Sequence, residues 1–239
     1  RYIDMQKSGY INNIDNGFFS CALFIGVVMA VFCSLFIGTE YSDGTIRNKV
    51  VIGQKRTSIY LSNLIICALV SVVMCAAFFI AYLCIGIPLL GFFEMDIKQV
   101  LLFTLAVFVL AIAFASIFTL ISMLNHNKAI TAVVCILLAF LLLFAGAQFN
   151  KMLNEPETNM GLMMTDNGQE YQEIPNPNYL EGGERKVVQF LYDFVPGGQA
   201  LQCVSLEANN ITVLPAYSLI IIVLTTGFGV FFFKKKELK

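Results

Sequence analysis

A chain of 239 residues that is 58% hydrophobic and only 13% charged has too little polar surface for an ordinary soluble domain. Its formal net charge of −1 and the absence of a continuous basic stretch exclude a nucleic-acid-binding surface. The composition is that of an all-α polytopic membrane protein seated in a lipid bilayer.

The opening, residues 1–17, is polar and has neither an initiator Met nor the apolar core of a signal peptide. The first span is predicted over Phe18 to Gly38, 21 residues without a charge and long enough to cross a hydrocarbon core of about 30 Å. Within it Ala22, Gly26, Ala30, Ser34 and Gly38 recur every fourth residue, a ridge of small side chains that lets another helix approach closely. Helix packing is the first reading of that ridge, and a face on a substrate path is the second.

Residues 39–60 form the most polar interval between early spans. They carry Arg47, Lys49, Lys55 and Arg56, and an excess of Lys and Arg in a short loop marks the cytoplasmic side. Ser42 is positioned to cap a short helix with Ile46, Val50 and Val51 on one face, Gly53 to stop it, and Thr57 or Ser58 to start the next helix. A second span is predicted over 61–90, longer than the minimum, with Gly86 and Pro88 favouring a break near its outer end.

An outer turn with Glu94 and Asp96 leads to the third span, 99–123. Asn125, His126, Asn127 and Lys128 form the return loop, and the fourth span covers 129–149. His126, the sole histidine, has no Cys or carboxylate beside it in sequence, so a capping or solvated role outweighs metal binding. Residues 150–213 are acidic and expected to be external and loop-like to about Gly183. Two short helices around Pro196-Gly197-Gly198 follow within 184–208. The last span, 214–233, ends in Lys234, Lys235 and Lys236, an inner-side anchor.

Six of the seven cysteines, Cys21, Cys33, Cys67, Cys75, Cys84 and Cys135, lie in apolar runs, where the thiol is a small hydrophobe. No Cys-x-x-Cys or His-Glu-x-x-His spacing points to a metal. The spans carry no ionisable residue away from their ends, which argues against ion-coupled transport. No G-x-x-x-x-G-K-[ST] loop is present either, so any ATP that drives this protein is bound by another chain.

Glu40, Gly44-Thr45, Arg47-Asn48, Arg56 and Ile59-Tyr60-Leu61 resemble the first cytosolic loop of type-2 ABC exporter permeases (the ABC-2 type), and the order of spans after it is similar across most of the chain. The Tyr192 to Gln202 stretch, YDFVPGGQALQ, resembles the external helical segment before that family's last span. The resemblance implies a permease without enzymatic activity or cofactor of its own, paired with a second permease copy and seated on an ABC ATP-binding subunit that holds ATP and Mg. It implies ATPase-coupling roles for Glu40, Asp43, Gly44, Thr45, Ile46, Arg47 and Lys49, and a smaller second cytosolic contact at His126 and Lys128. By the same likeness Phe24, Phe140 and Phe144 become candidates for a cargo path suited to amphipathic peptides, antibiotics or lipids. Aromatic side chains in spans otherwise face lipid or neighbouring helices.

With the loop at 39–60 and the C-terminus inside a bacterial cytoplasmic membrane, five spans place residue 1 outside. A further, sixth span is therefore expected ahead of Arg1, as the family has six. A channel without ATPase and a membrane sensor or receptor using the acidic external region remain as rival readings.

Overall fold

The computed structural model describes residues 14–165, 168–208 and 210–236. Most of the polar opening, including the placement of residue 1, lies outside the described residues. A short helix α1 (Ile14–Phe18) precedes five long apolar helices: α2 (Cys21–Ser42), α4 (Arg56–Leu90), α5 (Ile97–Leu124), α6 (Lys128–Leu153) and α9 (Val213–Lys235). Each is long and apolar enough to cross a membrane, so the chain is an all-α polytopic membrane protein. Between α2 and α4 sits α3 (Thr45–Val51), and between α6 and α9 come strands β1 (Thr158–Thr165) and β2 (Gly168–Pro175), then α7 (Gly182–Phe194) and α8 (Pro196–Ser205).

Helices α2 and α5 form the centre, each more than half buried along its apolar stretch, while α4, α6 and α9 bury less than a third of theirs. The small-residue ridge of α2 explains the approach: Ala22, Gly26, Ala30 and Ser34 are all buried. A Cβ on Gly26 would stand 3.0 Å from the ring of Phe114 on α5. Phe114 stacks on Phe118 with ring centroids 6.0 Å apart, so the absence of a side chain on one helix is filled by aromatic bulk on the other.

At the end of the bundle far from α3, α8 drives into the other helices. Pro196 begins it, which suits a residue lacking an N–H. Gly197 and Gly198 then lie against backbone: a Cβ on Gly197 would be 1.9 Å from the Leu142 carbonyl oxygen, and one on Gly146 2.4 Å from the Gly197 carbonyl carbon. The helix is held there by one buried and one half-buried polar pair. Ser218 donates to Gln199 Oε1 at 2.6 Å, and Gln202 Nε2 donates to Asp193 Oδ1 at 3.0 Å. Burial pushes the Asp193 carboxyl above its ordinary range, against the lowering effect of bonds from Gln189 and Gln202.

Several local expectations change. Phe18 belongs to α1 rather than to the first span, because the chain turns at Phe19 and Ser20. Helix α4 starts at Arg56, ahead of Thr57 and Ser58, and runs unbroken past Gly86 and Pro88. Pro88 is two residues from the helix end, and the stop is Gly91, with φ +88° and its N–H on the Ile87 carbonyl. At 35 residues α4 is about 52 Å long and extends beyond a 30 Å core. The stretch expected to be loop up to Gly183 contains instead the β1–β2 antiparallel hairpin, registered from Thr158 opposite Pro175 to Thr165 opposite Gly168.

Candidate functional site

The polar interval after α2 is shorter and more ordered than its sequence suggests. Thr39 to Ser42 continue α2, residues 56–60 already belong to α4, and Asp43 and Gly44 alone separate α2 from α3. Gly44, not Ser42, is the N-cap of α3: it adopts φ +71°, left-handed backbone that glycine enters without steric cost. Its carbonyl accepts the Asn48 N–H at 2.9 Å. Gly53, at φ +86°, ends the helix with its N–H on the Val50 carbonyl.

Ile46 is buried and Val50 packs on the core, but Val51 faces outward instead of sharing their face. A residue one position after Val50 is rotated about 100° around the helix, which explains the difference. Val51 and Ile52 are 77% and 76% exposed, flanked by exposed Arg47, Asn48, Gln54 and Lys55. The outer surface of α3 is thus an apolar pair inside a basic and amide rim.

Behind α3 stands Glu40. Its Oε1 accepts from Lys49 Nζ at 2.6 Å and its Oε2 from Asn63 Nδ2 at 2.8 Å, joining α2, α3 and α4 through one carboxylate. Asn63 also points its Nδ2 at Met123 Sδ of α5, 3.4 Å away. Asp43 and Thr45 flank the turn, Asp43 exposed and Thr45 half-buried.

A second set of bonds surrounds this junction. Tyr41 donates its hydroxyl to the Met123 carbonyl at 2.6 Å, and Lys236 Nζ donates to both Tyr41 Oη and that carbonyl at 2.9 Å. Partial burial pulls the Lys236 ammonium down to about 8. Arg56 donates to the Lys234 carbonyl at 2.9 Å and also reaches the Lys236 carbonyl, closing the C-terminal end of α9. His126 sets its ring edge-on to Tyr41, with centroids 5.2 Å apart. Desolvation, with the Lys236 charge second, lowers the His126 pKa and so favours the neutral imidazole. Lys128 donates to Thr39 Oγ1 at 2.7 Å and covers Gly38, where a Cβ would meet its side chain at 2.8 Å.

Glu40, Asp43, Gly44, Thr45, Ile46 and Lys49 therefore converge at one end of the bundle, Arg47 stands on its outer face, and His126 and Lys128 abut it through Tyr41 and Thr39. Phe24, Phe140 and Phe144 do not join them. They point away from the core of α2 and α6, 65%, 56% and 65% exposed. Asn63 and Lys236 escape a reading of the loop because they lie outside it, and Tyr41, inside it, escapes because its partners Met123 and Lys236 are 82 and 195 positions away. A lone Asn in an otherwise apolar run is nevertheless a signal, since a buried amide in a span needs partners.

A family model described as ABC-2 family transporter protein matches residues 1–164. No curated protein and no solved structure matches the sequence. Since that match takes in more than half of the chain, and its five apolar helices are those of a membrane-embedded component, this protein belongs to the ABC-2 transporter family as a transmembrane permease subunit.

Proposed function

We propose that this chain is the permease half of a bacterial ATP-driven exporter, in which a separate ATP-binding subunit docks on the outer face of α3. The observation that carries this reading is the Glu40 carboxylate, which ties α3 by Lys49 to α2 and, through Asn63, to α4. A partner gripping Arg47, Val51 and Ile52 would move a rigid piece already fastened to two spans, and Arg56 and Lys236 extend the connection to α9. Nucleotide-driven closure of the partner thereby becomes tilt of spans, a rigid-body transmission.

ATP and Mg²⁺ bind in the partner, in keeping with the missing phosphate loop. The α3 end faces the cytoplasm, as the Lys and Arg of the loop and the 234–236 cluster favour. Two permeases pair to enclose the route, and the uncharged outer faces of the spans suit an amphipathic or hydrophobic cargo.

The test is purification of the tagged full-length chain from its natural host after mild detergent extraction. An associated ATP-binding subunit with ATPase activity supports the reading. Arg47→Glu combined with Val51→Asp should strip that subunit while the permease still inserts. A complex that survives both substitutions would refute docking on α3.

A further inference from the structure

An open cavity of about 570 Å³ lies between α3 and the start of α4, sharing Gln54 and Lys55 with the rim of the outer face just described. Its polar lining comes from Lys49, Gln54, Lys55, Ser58, Ser62 and Asn63, and its apolar wall from Ile66. From the N-cap Lys55 into α4, the residues Lys55, Ser58, Ser62, Ile66 and Leu69 follow one another at intervals of three and four, so the helical ones form a single stripe that Lys55 heads. The stripe passes from a cation, through two hydroxyls, to exposed aliphatic side chains. That is the order of chemistry a phospholipid meets from headgroup to acyl chain.

The electrostatics favour an anion. The lining holds two cations, Lys49 and Lys55, and no carboxylate; the nearest carboxylate, Glu40, is paired with Lys49, and Arg56 adds a third cation next to Lys55. Arg56 spends its hydrogen bonds on α9 carbonyls, which are neutral, so its charge persists. Helix α4 adds about half a charge at its N-terminus, where Lys55 provides no side-chain cap for the first N–H groups.

A separate observation also points to a ligand. Asn63 contributes to the lining, is fully buried, and commits its Nδ2 to Glu40 and Met123, yet its Oδ1 has no hydrogen-bond partner. A buried acceptor left unpaired is unfavourable, and a donor beside the bound anion would relieve it. Free phosphate could supply a P–OH donor but has no use for Ile66 or Leu69. A phosphodiester with a hydroxylated headgroup and an acyl chain answers all three features.

We propose that this cavity binds an anionic phospholipid of the phosphatidylglycerol type in the leaflet on the α3 side. Lys49, Lys55 and the Ser58 hydroxyl take the phosphate, a headgroup hydroxyl donates toward Asn63 Oδ1, and an acyl chain lies along Ile66 and Leu69. Because Lys49 is on α3, Lys55 caps α4 and Ser58 is in its first turn, the headgroup bridges the two helices. Its effect on coupling rests on the permease reading above, whereas binding itself does not.

The experiment places the full-length protein in nanodiscs of phosphatidylcholine with a minor fraction of phosphatidylglycerol. Lipid retained after re-extraction is then quantified by mass spectrometry. Wild type should retain phosphatidylglycerol above its bulk share. Lys55→Gln should cut that enrichment about fivefold, and Lys55→Arg should restore it. Lys151→Gln, the same charge change at the far end of α6, should leave it unaltered.

Retention at the bulk ratio, or an equal loss in Lys55→Gln and Lys151→Gln, overturns the site. Displacement of the lipid by millimolar inorganic phosphate would assign it to a free anion and overturn the lipid. None of these readouts involves the ATP-binding subunit, so failure here and failure of docking on α3 are told apart.

Discussion

Glu40 and Lys49 meet at 2.6 Å across the two-residue turn at Asp43 and Gly44, with the second oxygen of the same carboxylate held by buried Asn63. The pair is largely shielded, so it is worth more than an ordinary surface ion pair. Glu40→Ala should lower the stability of the purified protein by about 2 kcal/mol, as it leaves Asn63 and Lys49 without their acceptor. A double-mutant cycle with Lys49→Met, read by thermal unfolding in detergent, should return a coupling energy of about 1 kcal/mol. Additive effects would show that the contact contributes nothing.

The turn itself makes a sharper demand. Gly44 has open space around its Cα, so a larger residue there is opposed by backbone conformation alone, at φ +71°. Gly44→Val should destabilise the junction by about 1–2 kcal/mol, whereas Gly44→Asn, which tolerates left-handed backbone, should fall close to wild type. Comparing the two in the same unfolding assay separates strain from loss of a surface contact.

At the far end the constraint is space. Gly197→Ala would thrust a methyl at the Leu142 carbonyl and should cost on the order of 3 kcal/mol or abolish monodisperse protein. Gly183→Ala, within α7 with nothing nearby, should be neutral or stabilise by up to about 1 kcal/mol. Size-exclusion profiles and melting curves of both variants check the contrast.

Lys236 predicts a pH dependence whose sign follows from its depressed folded pKa. Between about 8 and the ordinary lysine value of 10.5 the unfolded chain holds more protons than the folded one, so stability rises with pH in that window. Below about 8 the folded protein carries a partly buried ammonium at a desolvation cost. Wild type should therefore gain stability relative to Lys236→Met as pH is raised from 8 toward 10. A pH-independent difference between the two would show that the Lys236 site does not titrate in this range.

The five spans are legible in the sequence because uninterrupted apolar runs of twenty or more residues have no alternative solution in lipid. Gly53 as a stop and the bend at Pro196 are legible for similarly local reasons. The N-cap of α3 is not: Ser42 has the right chemistry, but α2 continues through it, and Gly44 wins because the reversal needs left-handed backbone. Val51 is misplaced by one helical step, since three apolar residues in a seven-residue helix do not define a face. The β1–β2 hairpin hides in an Asn-, Met- and Gly-rich stretch of weak alternation. Contacts of Arg56 and Lys236 join residues 178 and 195 positions away from their partners, and no local pattern carries such pairs.

The central claim, that α3 receives an ATP-binding subunit on its outer face, is most directly tested by site-specific photocrosslinking. A photoreactive residue in place of Val51 in the full-length chain, expressed in its natural host, should capture an ATP-binding subunit. The yield should change on trapping the nucleotide-bound state, and the same probe at Leu219 on the outer face of α9 should capture none. Crosslinks from position 51 to lipid alone, or labelling of that position by a membrane-impermeant reagent added outside intact cells, would contradict the account.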